Sequence, residues 1–248
     1  MSVDVVALPG GVMPAAVRYA PLVAAAGDGV RIHAKDLEVY GGDEPPPNYS
    51  IEQEVEALGR FADSLGLDRF HLLGYSGGGF VSLAFAGTHA DRLLSLALFE
   101  PASVPGRMTA EEEFYLSGLR TRLSGVAGAD FMRVFTTAQV RPGAELAPPA
   151  GPPPAWMANR PAGLAAMMEG FSAYPFERSV LRRCRFPVFY GYGDQTGEQE
   201  ELKVAVLARL LPNLHIRRFK GIHHFVPPER IYNDEHVCEL RRLWDSPS

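Results

Sequence analysis

The chain has 248 residues, 46% hydrophobic and 21% charged, with a net charge of −5, which suits one soluble α/β domain with a full core, or a core carrying an insertion. The mild acidity argues against a nucleic-acid partner or a basic membrane patch, and no run of about 18 apolar residues predicts a transmembrane helix. Two cysteines, Cys184 and Cys238, make no disulfide framework, and the start "MSVDVVALPGG" lacks a basic leader, so a cytoplasmic location is expected.

Val3 to Leu8 reads as a strand that ends at Pro9-Gly10-Gly11, and Pro14 to Ala26 as a helix stopped by Gly27 and Gly29. Val30 to Tyr40 reads as a strand whose charges (Arg31, His33, Lys35, Asp36, Glu38) suit a sheet edge. Ser50 has the makings of an N-cap, with Glu52 and Glu54 in the first turn and Ile51, Val55, Leu58 and Phe61 at helical spacing. Phe70 to Tyr75 is a buried strand, followed by a helix to about Ala90, and Leu93 to Phe99 is a strand closed by Glu100-Pro101.

From Ala102 to Arg183 helix-like segments lie around Ala110 to Arg122, Asp130 to Gln139 and Gly163 to Tyr174, with "APPAGPPPAW" between the last two. No strand pattern is visible there. The alternation resumes with "FPVFYGYGDQTG", a helix from Glu198 to Leu211, the strand of "LHIRRFKGIHHF" and a helix from Asn233 to Trp244. Strand-helix alternation predicts an α/β fold with a mainly parallel sheet of about six strands, helices on both faces. The expected core is residues 1–101 and 184–248, with 102–183 as a helical insertion.

Gly74-Tyr75-Ser76-Gly77-Gly78 fits G-x-S-x-G and stands where a strand turns into a helix. Such a turn holds the serine oxygen above the sheet at a helix N-terminus, where free amides and the helix dipole favour developing negative charge. A serine hydroxyl is a poor nucleophile until a base takes its proton and a third group orients that base. Downstream strand ends supply Asp194, His223 and His224.

This arrangement resembles the α/β-hydrolase superfamily, in particular its serine esterases and lipases with a helical cap, across nearly the whole chain. The family pattern of Pro, apolar residues and Gly-x-x-Asp is met by Pro187, Val188 to Tyr190 and Gly191 to Asp194. The closing Gly-x-x-His-Phe, with a glutamate five positions past the histidine, is met by Gly221, His224, Phe225 and Glu229. The resemblance implies a triad of Ser76, Asp194 and His224. Glu100 ends an earlier strand from which some family members supply the carboxylate, and His223 is expected to pack or hydrogen-bond beside the site.

Two departures accompany the resemblance. Pro9 stands where the oxyanion loop usually has histidine, with Gly11 at the amide-donating position and Gly77 as the second donor. The chain also begins at what would be the family's third strand, so the first two family strands are expected to be missing and the charged strand to form an edge.

The implied activity is hydrolysis of a carboxylic ester or lactone of a small to medium apolar substrate through an acyl-serine intermediate. Thioester or carbon-carbon hydrolysis would use the same triad, and a non-catalytic ligand receptor on this fold is the rival from another class. A small-molecule substrate is the expected partner, with no cofactor, metal, nucleic acid or membrane, and with homodimerisation through the charged edge.

Overall fold

The computed structural model describes residues 2–126, 128–146 and 151–246. Met1, Pro247 and Ser248 of the expected core, and Ala127 and residues 147–150 of the expected insertion, lie outside the described residues.

Six strands, β1 (Val3–Leu8), β2 (Val30–Ala34), β3 (Phe70–Tyr75), β4 (Leu93–Phe99), β5 (Val188–Gly193) and β6 (Leu214–Phe219), form one sheet in the order β2-β1-β3-β4-β5-β6. Every pairing is parallel. Parallel strands need crossovers, and the helices that supply them cover both faces. On one face α2 (Ile51–Ser64), α3 (Gly77–Thr88) and α7 (Gln199–Ala208) pack on Val6, Leu8, Leu72 and Leu98. On the other, α1 (Ala15–Ala25), α8 (Pro228–Ile231) and α9 (Asp234–Trp244) pack on Val5, Ala7, Leu73 and Ala97. Because both faces are covered, β3 is buried at every residue, which is why its sequence shows no alternation of apolar and exposed polar positions.

The chain leaves β1 outward to the edge strand β2, then returns across it to β3 and continues the other way. The C-terminal ends of β1 and β3 therefore flank the point where strand order reverses, where open α/β sheets form their ligand crevice. Pro9-Gly10-Gly11 and Ser76 emerge there.

Helices α4 (Ala110–Leu123), α5 (Gly128–Thr137) and α6 (Arg160–Ala173) belong to the segment between β4 and β5. Thr109 starts α4 through a reciprocal capping box: Glu112 N–H donates to its Oγ1 (3.2 Å), and Thr109 N–H to Glu112 Oε2 (2.8 Å). Leu119, Leu123, Phe131, Phe135 and Leu164 form a separate apolar cluster, against which Val12 and Phe225 of the sheet-end loops pack. The Arg178 guanidinium joins the end of this segment to its start, bonding both Glu112 carboxylate oxygens (2.7 and 3.0 Å) and the Val104 and Pro105 carbonyls (2.9 and 3.0 Å).

The edge strand is shorter than its sequence suggests. β2 ends at Ala34, and Glu38–Tyr40 form a short 3-10 turn. Leu37 and Val39 turn into the core, and the Glu54 carboxylate accepts from the Glu38 and Val39 amides (2.9 and 3.1 Å), giving these backbone groups an alternative to a ladder. Asp4 of β1 binds Arg31 through two hydrogen bonds (2.7 and 2.6 Å) and His33 through a third (2.8 Å), which pairs two of the edge charges with a carboxylate on the neighbouring strand.

Candidate active site

Ser76 follows β3 directly and stands at the N-cap of α3 with φ 53° and ψ −116°. An L-residue there is strained by about 1–3 kcal/mol, which must be offset by surrounding contacts. Ser76 N–H donates to Phe99 O (3.1 Å), and its carbonyl accepts from Phe80 N–H (3.1 Å) and Ala102 N–H (2.8 Å). The neighbouring glycines serve close approach: a Cβ on Gly74 would lie 2.7 Å from Gly79 Cα, and one on Gly78 would strike the Leu8 and Pro9 carbonyls. Gly10 presses against the nucleophile position itself, since its Cβ would sit 2.8 Å from Ser76 Cβ.

His224, in the loop after β6, is buried. Its Nδ1–H donates to Glu100 Oε2 at 2.6 Å. Glu100 is fully buried at the end of β4 with φ 45°, and its other oxygen accepts from Gly193 N–H (2.7 Å) and the Thr196 hydroxyl (2.6 Å). The expectation that Asp194 partners this histidine is therefore corrected. Asp194 accepts from the Gly221 amide (2.8 Å), a bond that holds the turn after β6, and no hydrogen bond joins it to His224 among the described residues. Both carboxylates leave the C-terminal ends of adjacent strands, and loop geometry decides which one meets the ring.

Burial pushes the Glu100 carboxyl up to about 7, against the lowering effect of the Gly193 amide, the Thr196 hydroxyl and the Lys203 charge. Burial also pushes His224 well below the ordinary histidine range, because a buried imidazolium loses hydration. The ring is thus held neutral with its proton on Nδ1, leaving the Nε2 lone pair free to accept a proton. The Tyr75 hydroxyl donates to the His224 carbonyl, and the two rings lie 5.0 Å apart. The Arg18 guanidinium lies over the Tyr75 ring, 4.1 Å from its centroid. No hydrogen bond joins Ser76 Oγ to the His224 ring among the described residues; in unliganded sites this contact commonly tightens only when substrate arrives.

His223 stands beside the site: Phe225 N–H donates to its Nδ1 (3.1 Å), so its Nε2–H donates to Glu145 O (3.1 Å). Another histidine–serine contact, His71 Nδ1 to Ser95 Oγ (2.8 Å), lies near the starts of β3 and β4, at the opposite end of the sheet from Ser76. No cluster of three or more metal-ligating side chains occurs among the described residues.

Gly11, Ser76 and Gly77 line one cavity, closed above by Leu119, Phe135, Leu164 and Met167. Gly78 N–H donates to Pro9 O (2.9 Å) and the Tyr40 hydroxyl to Gly11 O (2.7 Å), fixing the loop that carries the two glycines. Sequence reasoning missed Thr196, Tyr40 and Tyr75. Tyr75 occupies the free position of G-x-S-x-G, whereas nothing in the sequence marks the other two.

Comparison with known proteins agrees with this fold. A family model described as the alpha/beta hydrolase fold matches residues 5–138. Haloalkane dehalogenase 2 of Mycobacterium tuberculosis is 35% identical over 82 residues, 32% of this chain and 29% of that protein. N-formylmaleamate deformylase of Pseudomonas putida is 34% identical over 94 residues, 37% of this chain and 35% of that protein. The aligned stretches thus span about a third of the curated relatives' length. Among solved structures, MenH from S. aureus superposes with a TM-score of 0.74 at 18% identity, covering 97% of this chain and 92% of that one. A thermophilic esterase from Thermogutta terrifontis gives 0.71 at 22%, covering 98% and 89%. With a six-stranded parallel sheet, a serine at the strand-helix elbow and a family match over more than half its length, the chain belongs to the α/β-hydrolase fold family.

Proposed function

We propose that the chain is a serine hydrolase cleaving a carboxylic ester or lactone of a small to medium apolar substrate, with Ser76 as nucleophile, His224 as base and Glu100 as the orienting acid. The observation that carries the reading is the buried Glu100–His224 hydrogen bond, on a chain whose elbow serine is held in strained dihedrals. The Ser76 Oγ attacks the carbonyl carbon while its proton passes to His224 Nε2. Negative charge on the carbonyl oxygen is met by the Gly11 amide of the loop after β1 and the Gly77 amide at the N-terminus of α3, each such donor being worth about 10²–10³ in rate. The imidazolium returns its proton to the departing alkoxide. A water, deprotonated by His224, then attacks the acyl carbon and the proton goes back to Ser76 Oγ.

Residues 102–183 act in this reading as a cap over the site. Leu116, Phe135, Leu164 and Met168 from α4, α5 and α6 give the cavity an apolar lining, which favours an acyl chain over a charged group. The free cysteines, Cys184 buried and Cys238 exposed, support a reducing, cytoplasmic setting, and no described helix is long and apolar enough to cross a membrane. The β2 edge is the surface through which a homodimer would form.

The test is hydrolysis of p-nitrophenyl esters of increasing acyl length by the wild type and by Ser76→Ala. Turnover that disappears in a folded variant supports the acyl-serine reading. An inert wild type that a fluorophosphonate also fails to label at Ser76 would overturn it.

A further inference from the structure

Two anchors hold the loop that carries Gly11. The Pro9 carbonyl accepts from Gly78 N–H (2.9 Å), and the Gly11 carbonyl accepts from the Tyr40 hydroxyl (2.7 Å). Between these anchors stand Gly10 and Gly11, which have no Cβ to restrict their dihedrals. The first anchor joins backbone to backbone, so Tyr40 is the side chain on which the setting of Gly11 depends. No backbone carbonyl accepts from the Gly11 amide among the described residues.

Tyr40 ends the short 3-10 turn after β2 and is clasped by one face of α6. Arg160, Gly163, Leu164 and Met167 recur on that face at helical spacing, and all four are buried. The Arg160 guanidinium lies over the Tyr40 ring, 3.8 Å from its centroid. A Cβ on Gly163 would strike the same ring. The Tyr40 hydroxyl also stands 3.8 Å from Met167 Sδ, but its single proton goes to the nearer acceptor, Gly11 O. Leu164 packs where a Cβ on Gly11 would lie, and Met167 where one on Gly77 would lie. One helix face thus touches both amide-bearing glycines and the side chain that anchors one of them. Burial pushes the Tyr40 hydroxyl above the ordinary tyrosine range, so it stays a donor.

We propose that Tyr40 is a positioning residue that transmits the seating of α6 to the Gly11 amide, so that the oxyanion site is complete only with this helix docked. The proposal rests on the hydrolase reading, since it needs an oxyanion to be met.

The experiment compares wild type, Tyr40→Phe and Gly163→Ala on p-nitrophenyl butyrate, with inhibition by a 1,1,1-trifluoroalkan-2-one and by the alkan-2-ol of the same length. Ser76 Oγ adds to the ketone carbon, its proton passes to His224, and the carbonyl oxygen becomes the anion that the amides meet. The alcohol has no carbonyl and forms no such charge. In Tyr40→Phe, kcat should fall about 10- to 100-fold, approaching the cost of a lost oxyanion donor. The ketone should weaken by the same factor while the alcohol's affinity holds within about twofold. Gly163→Ala keeps the hydroxyl but drives the ring off Gly11, and should reproduce both losses. The double variant should be no worse than either single one, because the two act through one contact. Melting temperatures check folding. A wild-type kcat in Tyr40→Phe, or ketone and alcohol weakened alike, overturns the positioning role, and an unaffected Gly163→Ala overturns the link to α6. A wild type that turns over no ester and binds the ketone no tighter than the alcohol overturns the hydrolase reading, and this proposal with it.

Discussion

Replacing Glu100 by glutamine separates the two candidate acids, because the structure dictates which way the amide must face. Oε1 of Glu100 accepts from the Gly193 amide and the Thr196 hydroxyl, at 2.7 and 2.6 Å. In Glu100→Gln the amide oxygen takes that place, since turning the NH2 towards Gly193 would set two donors against each other. The NH2 then faces His224 Nδ1, so Nδ1 must accept and the ring proton moves to Nε2. That is the wrong tautomer for removing the Ser76 proton. A wrong-tautomer substitution of a triad acid costs about 10³–10⁴ in kcat, which corresponds to roughly 4–5.5 kcal/mol of transition-state stabilisation. Asp194→Asn should behave differently, because an asparagine oxygen can still accept from the Gly221 amide. Its rate should stay within about two- to threefold of wild type. The assay is kcat/KM on the best p-nitrophenyl ester, with circular dichroism to check folding. A collapse in Asp194→Asn together with near-normal Glu100→Gln would refute the assignment of the acid.

Gly10→Ala tests the close approach at the elbow: with its Cβ 2.8 Å from Ser76 Cβ, the loop or the nucleophile must shift, and kcat should drop about 10²-fold, the cost of misplacing a reacting group by roughly an ångström; an unchanged kcat would count against the packing described. Arg178→Ala removes the partner of a buried glutamate and two carbonyl bonds, so urea denaturation should show about 3–5 kcal/mol of lost stability, and Arg178→Lys should recover little because an ammonium cannot reproduce the fork. His236 is fully buried with Nδ1–H donating to Ile231 O (2.9 Å), and burial pushes its pKa down to about 4. The unfolded chain, with a histidine near 6.5, takes up a proton first, so stability is lost as pH falls from about 6.5 towards 4. This group alone accounts for about 3 kcal/mol across that window, and His236→Phe should flatten the fall measured by urea midpoints at pH 7 and pH 4.5; an equally steep fall in the variant would refute the account.

What the sequence determined by itself is what local chemistry controls. Apolar runs of strand length placed β3 and β4 to the residue, and glycines around Ser76 marked the bend, because only residues without Cβ can sit where Gly79 and the Pro9 carbonyl come so near. The resemblance to the family's Gly-x-x-His-Phe step singled out His224 over His223, and the structure sets His224 against Glu100. Boundaries drifted where a tertiary contact intervenes: the Glu54 carboxylate, from α2, ends β2 early by capping Glu38 and Val39.

The tertiary structure alone decided which carboxylate meets His224. Glu100 and Asp194 both follow buried strands, and β4 and β5 lie side by side, so either can reach the loop that carries His224. The choice falls to groups distant in sequence. The Gly221 amide draws Asp194 into the turn after β6, while Gly193 and Thr196 anchor one oxygen of Glu100 and leave the other for the imidazole. Backbone donors carry no sequence signature, because every residue but proline has one, and their direction exists only once the strands are in register.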